Sequence, residues 1–244
     1  MKEKIYTIPV NDAYQSGCAC PLCRLEADIE KSTLEYFLGA SLMEPDTRIA
    51  TNKHGFCRRH FTKMYAAEIN RLGLGLMIHT HLVQVSSDLS APLASLAPNG
   101  RSLLKGRDGD YKKRLEDMAD TFSQRVDSCI VCDKVAFTMA RYLDVIFWMY
   151  FEDEAFRKSF SSVKAHCMKH TAFLLRGAAK HLSQNKAATF VPDLVAAYQT
   201  GFDELTDDVH RFTLKFDYRN KDMPWGNAKD AIPRSMDLLT GADG

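Results

Sequence analysis

Four short motifs hold the residues of this chain that could do chemistry. Cys20-Pro21-Leu22-Cys23 is answered downstream by Cys57-Arg58-Arg59-His60, and Cys129-Ile130-Val131-Cys132 by Cys167-Met168-Lys169-His170. The second and third cysteines stand 34 positions apart in the first pair of motifs and 35 in the second. Each pair offers three thiolates and one imidazole, the ligand set of a closed tetrahedral zinc site. A lone CxxC is weak evidence. Two CxxC…CxxH sets in matching order are strong evidence and read as an internal duplication. The expected ligands are Cys20, Cys23, Cys57 and His60 for one ion, then Cys129, Cys132, Cys167 and His170 for the other. Four protein ligands leave no position for water or substrate, so both ions are expected to be structural. Zinc stands ahead of an iron–sulfur cluster, which cysteine sets also hold.

Three thiolates leave a divalent ion with net charge near −1. Lys53, Arg58, Arg59 and Lys63 near the first set, and Lys164 and Lys169 near the second, would offset it, as would a helix N-terminus at each CxxH. The basic residues are therefore read as charge balance ahead of a phosphate site. Cys18 and His166 align with Asp127 and Phe56, have no counterpart ligands, and are left out of the ligand set. Cys18, two residues before a ligand, is the thiol expected to react while metal is bound. His79 and His81, two apart on a helix, point to different sides and make a poor chelate. Met43-Glu44-Pro45-Asp46-Thr47-Arg48 reads as a loop with helix caps. Lys215 to Trp225 reads as a helix end followed by a tail that docks its Trp and Tyr on the body. No catalytic triad or acid–base pair can be assembled.

Helices must position these motifs, because apolar residues recur at three- and four-residue steps and strand-type alternation is scarce. The fold class expected is all-α: a helical bundle with pseudo-twofold internal duplication and two zinc-knuckle sites. Each repeat reads as a helix after CxxC (25–41, 134–150), one at CxxH (58–69, 167–182) and a long one (74–96, 192–218). An extra helix is placed at 111–125. Turn residues place the linker between Pro98 and Gly109. The repeats are thus 1–100 and 111–220, with 221–244 a mostly irregular tail that leaves room for a short helix near 235–239, and the whole is expected as one compact unit. Ile78, Leu82, Val85 and Leu89 share a 4-3 step with Tyr198, Phe202, Leu205 and Val209. That pattern predicts that the two long helices pack on each other. Pro92 should kink or end the first of them. Leu72-Gly73-Leu74-Gly75 follows a helix and fails the context of a dinucleotide loop.

The chain has 244 residues, 45% apolar and 26% charged, with net charge +1, ordinary for a soluble globular protein. Near-neutral charge argues against a nucleic-acid coat, although a local basic patch stays open. The first residues lack the apolar core of a signal peptide, and the longest apolar run, Val145 to Phe151, is too short to span a bilayer. Six of seven cysteines in metal-type spacing fit a reducing cytoplasm better than a disulfide framework.

The order Cys18-Ala19-Cys20-Pro21-Leu22-Cys23, Met43-Glu44-Pro45-Asp46, Gly55-Phe56-Cys57-Arg58-Arg59-His60, and Lys215-Phe216-Asp217-Tyr218-Arg219-Asn220 resembles an uncharacterised bacterial family, domain of unknown function 6062. The resemblance spans nearly the whole chain, supports the ligand assignment, and implies no activity. The leading expectation is a zinc-stabilised cytoplasmic binding or regulatory protein without catalysis of its own. Its partner would be a protein or small molecule, with nucleic acid less favoured and no membrane. A thiol-based redox or metal sensor using Cys18 and the first site is the alternative. An enzyme with a cleft between the halves is a third.

Overall fold

The computed structural model describes residues 4–96 and 110–242. Among them are eleven α-helices and no strand: α1 (Lys4–Gln15), α2 (Pro21–Leu38), α3 (Pro45–His54), α4 (Arg58–Ala66), α5 (Arg71–Ala94), α6 (Tyr111–Asp127), α7 (Ile130–Glu152), α8 (Glu154–Ser161), α9 (Met168–His181), α10 (Gln184–Leu214) and α11 (Ala231–Thr240). The all-α class is as expected. The linker placed at 98–109 lies outside the described residues.

Three local readings need correction. Met43–Arg48 is no loop. Pro45 occupies the first position of α3, where its missing N–H has no role, and Asp46 sits in the first turn against the positive helix end. The second long helix begins well before Pro192, at Gln184, where the Ser183 side chain accepts the Lys186 N–H. The short helix given room near 235–239 is longer than expected, running over Ala231–Thr240 as α11 behind a 3-10 turn at Ala228–Asp230. Pro92 does lie in the last turn of its helix, which ends at Ala94.

The helices divide into two compact units that are not the sequential halves 1–100 and 111–220. One unit takes the chain up to Glu30 and again from Ala136 onward. The other is Lys31–Val135. Each unit therefore owns the start of one long CxxC helix and the end of the other, because the boundaries fall inside α2 and α7.

In the Lys31–Val135 unit, α3 packs on α5. The Arg48 guanidinium donates to the Leu76 carbonyl at 3.0 Å and the Thr80 hydroxyl at 2.7 Å. His81 Nδ1 donates to the Asn52 carbonyl at 2.8 Å. Gly55 ends α3 with φ +63°, and a Cβ there would lie 2.5 Å from the His81 ring. Glycine is thus required twice over, by conformation and by space. The next residue, Phe56, is buried between Phe37 and Phe61. The chain so anchored delivers Cys57 to the start of α4.

The other unit is built on aromatic side chains. Tyr14, Tyr150, Phe156, Phe160 and Phe190 are buried, with ring centroids about 5–6 Å apart in edge-on, stacked and tilted pairs. A second cluster joins Leu205 of α10 to Ala231 and Leu238 of α11 and to Ala165. Gly201 lets α10 come close to the segment that leads into α9, since a Cβ would stand 2.2 Å from the Lys164 carbonyl oxygen. Gly201→Ala is expected to lower stability by about 1–3 kcal/mol through forced displacement of that backbone. Urea unfolding measures it, and an unchanged midpoint would show that the segment yields freely.

The two long helices fall in different units, α5 in Lys31–Val135 and α10 in the other. Leu82 is 61% exposed, and α5 has α3 and α4 as its neighbours. The α10 seam is taken by α11, with α9 and α8 also against that helix. Among the described residues no helix is long and apolar enough to cross a membrane.

Candidate metal centres

All four motifs adopt the same local form. Cys20, Cys57, Cys129 and Cys167 each stand immediately before a helix. Each carbonyl accepts the N–H four residues on, at 3.3, 3.0, 3.0 and 2.8 Å respectively. The second ligand of each motif, three residues later, closes the first helical turn, which brings it onto the same face as the first. Cys57 and Cys167 have ψ of 165° and 160°, the extended backbone of an N-cap. Pro21, at the first position of α2, suits a helix start.

Two such helix starts converge in each unit. In the first centre Cys20 and Cys23 meet Cys167 and His170. In the second Cys57 and His60 meet Cys129 and Cys132. All eight expected residues are brought together, but the expected partners are exchanged: each CxxC faces the CxxH of the other half. Cys18 and His166 belong to neither group. Each centre thus gathers three thiols and one imidazole between two helix N-termini, whose partial positive charge offsets thiolate charge.

The spacings suit one small ion. A tetrahedron with Zn–S bonds of about 2.3 Å has S···S edges of about 3.8 Å and S···N edges of about 3.5 Å. In the first centre Cys23 and Cys167 sulfurs are 3.6 Å apart. His170 Nδ1 lies 3.2, 3.3 and 3.6 Å from the sulfurs of Cys167, Cys23 and Cys20. In the second centre Cys57 and Cys132 sulfurs are 3.9 Å apart. His60 Nδ1 lies 3.1, 3.2 and 3.5 Å from the sulfurs of Cys129, Cys57 and Cys132. Both imidazoles thus aim the same nitrogen at three sulfurs.

Protonation follows the packing. Hydrogen bonds from Cys20 and Cys23 hold the Cys167 thiol far below its ordinary range. Bonding to Cys167 and Cys23, with burial, pushes Cys20 far above its own. Burial lowers His170, but its bonds to Cys167, Cys23 and Glu26 outweigh this and lift it to about 10. In the second centre burial raises Cys57, yet the His60 N–H and the thiols of Cys129 and Cys132 bring it below its ordinary value. Burial and the neighbouring Cys129 push Cys132 up to about 12.

Sequence reading missed the carboxylate behind His170. Glu26 Oε2 is 3.4 Å from His170 Nε2, and Lys169 Nζ reaches both Glu26 oxygens at 2.7 and 2.5 Å. The hydrogen bond to His170 leads in holding Glu26 at about 2, against burial and with help from Lys169. A carboxylate on the far nitrogen fixes an imidazole's tautomer and orientation for metal binding. Its signal was present, three residues after Cys23 on α2, but had meaning only once Cys23 was known to face His170. The corresponding position on α7 is Val135. Glu26→Gln is expected to weaken metal binding at the first centre by about 10–100-fold. Competition with a chromogenic chelator measures this, and unchanged affinity would leave Glu26 a salt-bridge partner only.

A cavity of about 460 Å³ adjoins the first centre. Cys18, Cys20, Cys23 and Cys167 are among the residues that line it, as are Lys164 and Leu238. Cys18 is half-buried, its sulfur 3.7 Å from the Ala13 carbonyl. His166 is fully buried, with Nε2 3.2 Å from the Tyr14 hydroxyl, and burial lowers it to about 4. The expected docking of the tail holds for Trp225, packed on Phe212, but not for Tyr218, which is exposed.

The fold and the centres define an all-helical protein with two Cys₃His groups, each able to hold a metal ion. A family model described as "Family of unknown function (DUF6062)" matches residues 1–243, and the chain belongs to that family. No curated protein and no solved structure matches it.

Proposed function

We propose that this is a zinc-stabilised cytoplasmic binding or regulatory protein that holds two structural zinc ions and performs no catalysis. The observation that carries the reading is the set of S···S and S···N distances, repeated in two centres at tetrahedral edge length. All donor atoms of a centre lie within 4.8 Å of one another, room for one ion rather than a multinuclear cluster. The residues that would hold the ions are Cys20, Cys23, Cys167 and His170, then Cys57, His60, Cys129 and Cys132. Bound there, zinc supplies a cross-link between two helix starts. The cavity beside the first centre is of a size that takes a small molecule, and it supports a binding role.

Elemental analysis of protein purified without added metal should find about two zinc per chain. Iron with acid-labile sulfide, or no metal retained, would overturn the reading. A second reading has one observation in its favour. Cys18 shares the cavity with three ligand cysteines, as a thiol sensor would require. It predicts that oxidation or alkylation of Cys18 changes metal retention at the first centre. Unchanged metal content after Cys18 modification would remove it.

A further inference from the structure

Resting on the metal reading above, we propose that the second centre is the exchangeable one. It passes its ion to an external thiol or chelator through Cys132, while the first centre retains its ion.

The two centres have the same donors but different enclosure. In the first, Cys20 and Cys23 are each 7% exposed, Cys167 1% and His170 2%, even with the cavity beside them. Glu26 holds the far side of His170, and Lys169 holds Glu26. The backbone N–H of Ala242, just past α11, donates to the Cys23 sulfur at 3.4 Å. A chelator must displace these before it can reach a sulfur. In the second centre Cys129 and His60 are equally buried, but Cys132 is exposed and Cys57 half-exposed. Both openings therefore fall on one edge of the donor set, the 3.9 Å edge between the Cys57 and Cys132 sulfurs.

Arg58, Arg59 and Lys134, all exposed, lie within two residues of a ligand, as do the exposed carboxylates of Asp127 and Asp133. Reactivity of a thiolate follows its access. Cys132 is thus the first sulfur an incoming group meets. In the exchange the Cys132 sulfur yields its place to the thiolate of the incoming thiol and takes up that thiol's proton. No electrons move. Among the donor sulfurs Cys132 is the exposed one, while Cys18, the thiol expected from sequence to react, is half-buried and holds no place in either centre.

The test uses the full chain carrying two zinc ions, with 4-(2-pyridylazo)resorcinol in excess and release followed by absorbance. Two phases of one equivalent each are expected, their rates separated by at least about tenfold. Native protein treated with substoichiometric N-ethylmaleimide should label Cys132 ahead of every other donor cysteine and lose one ion per Cys132 labelled, whatever label the non-donor Cys18 takes up, which requires no variant to fold. In Cys132→Ser the fast equivalent should be missing and the slow one retained. In Cys23→Ser the slow one should be missing. A single rate for both ions, or first labelling at Cys20, Cys23 or Cys167, would overturn the inference while leaving two bound ions in place. Failure to bind two ions at the outset would instead overturn the metal reading on which it rests.

Discussion

Replacing Cys167 with serine is expected to cost the protein one of the two ions proposed for it, and the thiols set free will be Cys20 and Cys23, some 145 residues away in sequence. Their sulfurs share the first centre with Cys167, at 3.6 Å in the case of Cys23. Binding at a structural zinc site contributes on the order of 10 kcal/mol at neutral pH, as much as the stability of a whole domain. The unit holding Cys20, Cys23, Cys167 and His170 should therefore lose its cooperative melting transition or become insoluble. Cys129 should remain protected from iodoacetamide, because the second centre keeps all four donors. Peptide mapping after brief alkylation decides between the two pairings. Labelling of Cys129 in place of Cys20 would restore the same-half assignment, and a variant that retained both ions would dismiss Cys167 as a ligand.

The eight donors were legible in the sequence because ligand chemistry is local: a Cys and its partner three residues on are fixed by one helical turn. The pairing was not, because the two CxxC…CxxH spacings differ by only one residue and each CxxC suits either CxxH. Helix length held the missing information. CxxC opens α2, whose 18 residues carry the chain about 27 Å from that site before α3, with 10, can return about 15 Å. On the second half, α7 of 23 residues is followed by α8 of only 8. Each long helix carries the chain out of the unit that holds its CxxC before the following CxxH is reached, and leaves that CxxH for the other. The reading of 25–41 and 134–150 as helices after CxxC was close, but starting them several residues late hid that the ligands themselves are helix starts. Pro45 hid α3 in the same way, by being read as a turn residue when it was a helix signal.

A 4-3 seam does not by itself tell a buried position from an exposed one, and this leads to the second large effect. Leu205→Asp should unfold the packing of α11 on α10, whereas Leu82→Asp should be tolerated. Both residues lie on a 4-3 seam, and periodicity alone treats them alike. Leu205 is 8% exposed and packs with Ala165, Ala231 and Leu238, while Leu82 is 61% exposed. Burying Leu205 contributes roughly 1.5–3 kcal/mol. An aspartate there loses that and adds the cost of a carboxylate without a partner, several kcal/mol more, or must pull α10 and α11 apart to reach water. Because Ala165 leads into Cys167 and Ala242 follows α11, the damage should spread to the first centre and release its ion. Leu82→Asp, at an exposed position, should change stability by no more than about 0.5 kcal/mol. Thermal melts and metal content of the two variants, measured side by side, provide the check. Equal damage from both would mean that Leu82 is covered in solution, as the long-helix pairing expected from sequence or an interface between chains would require.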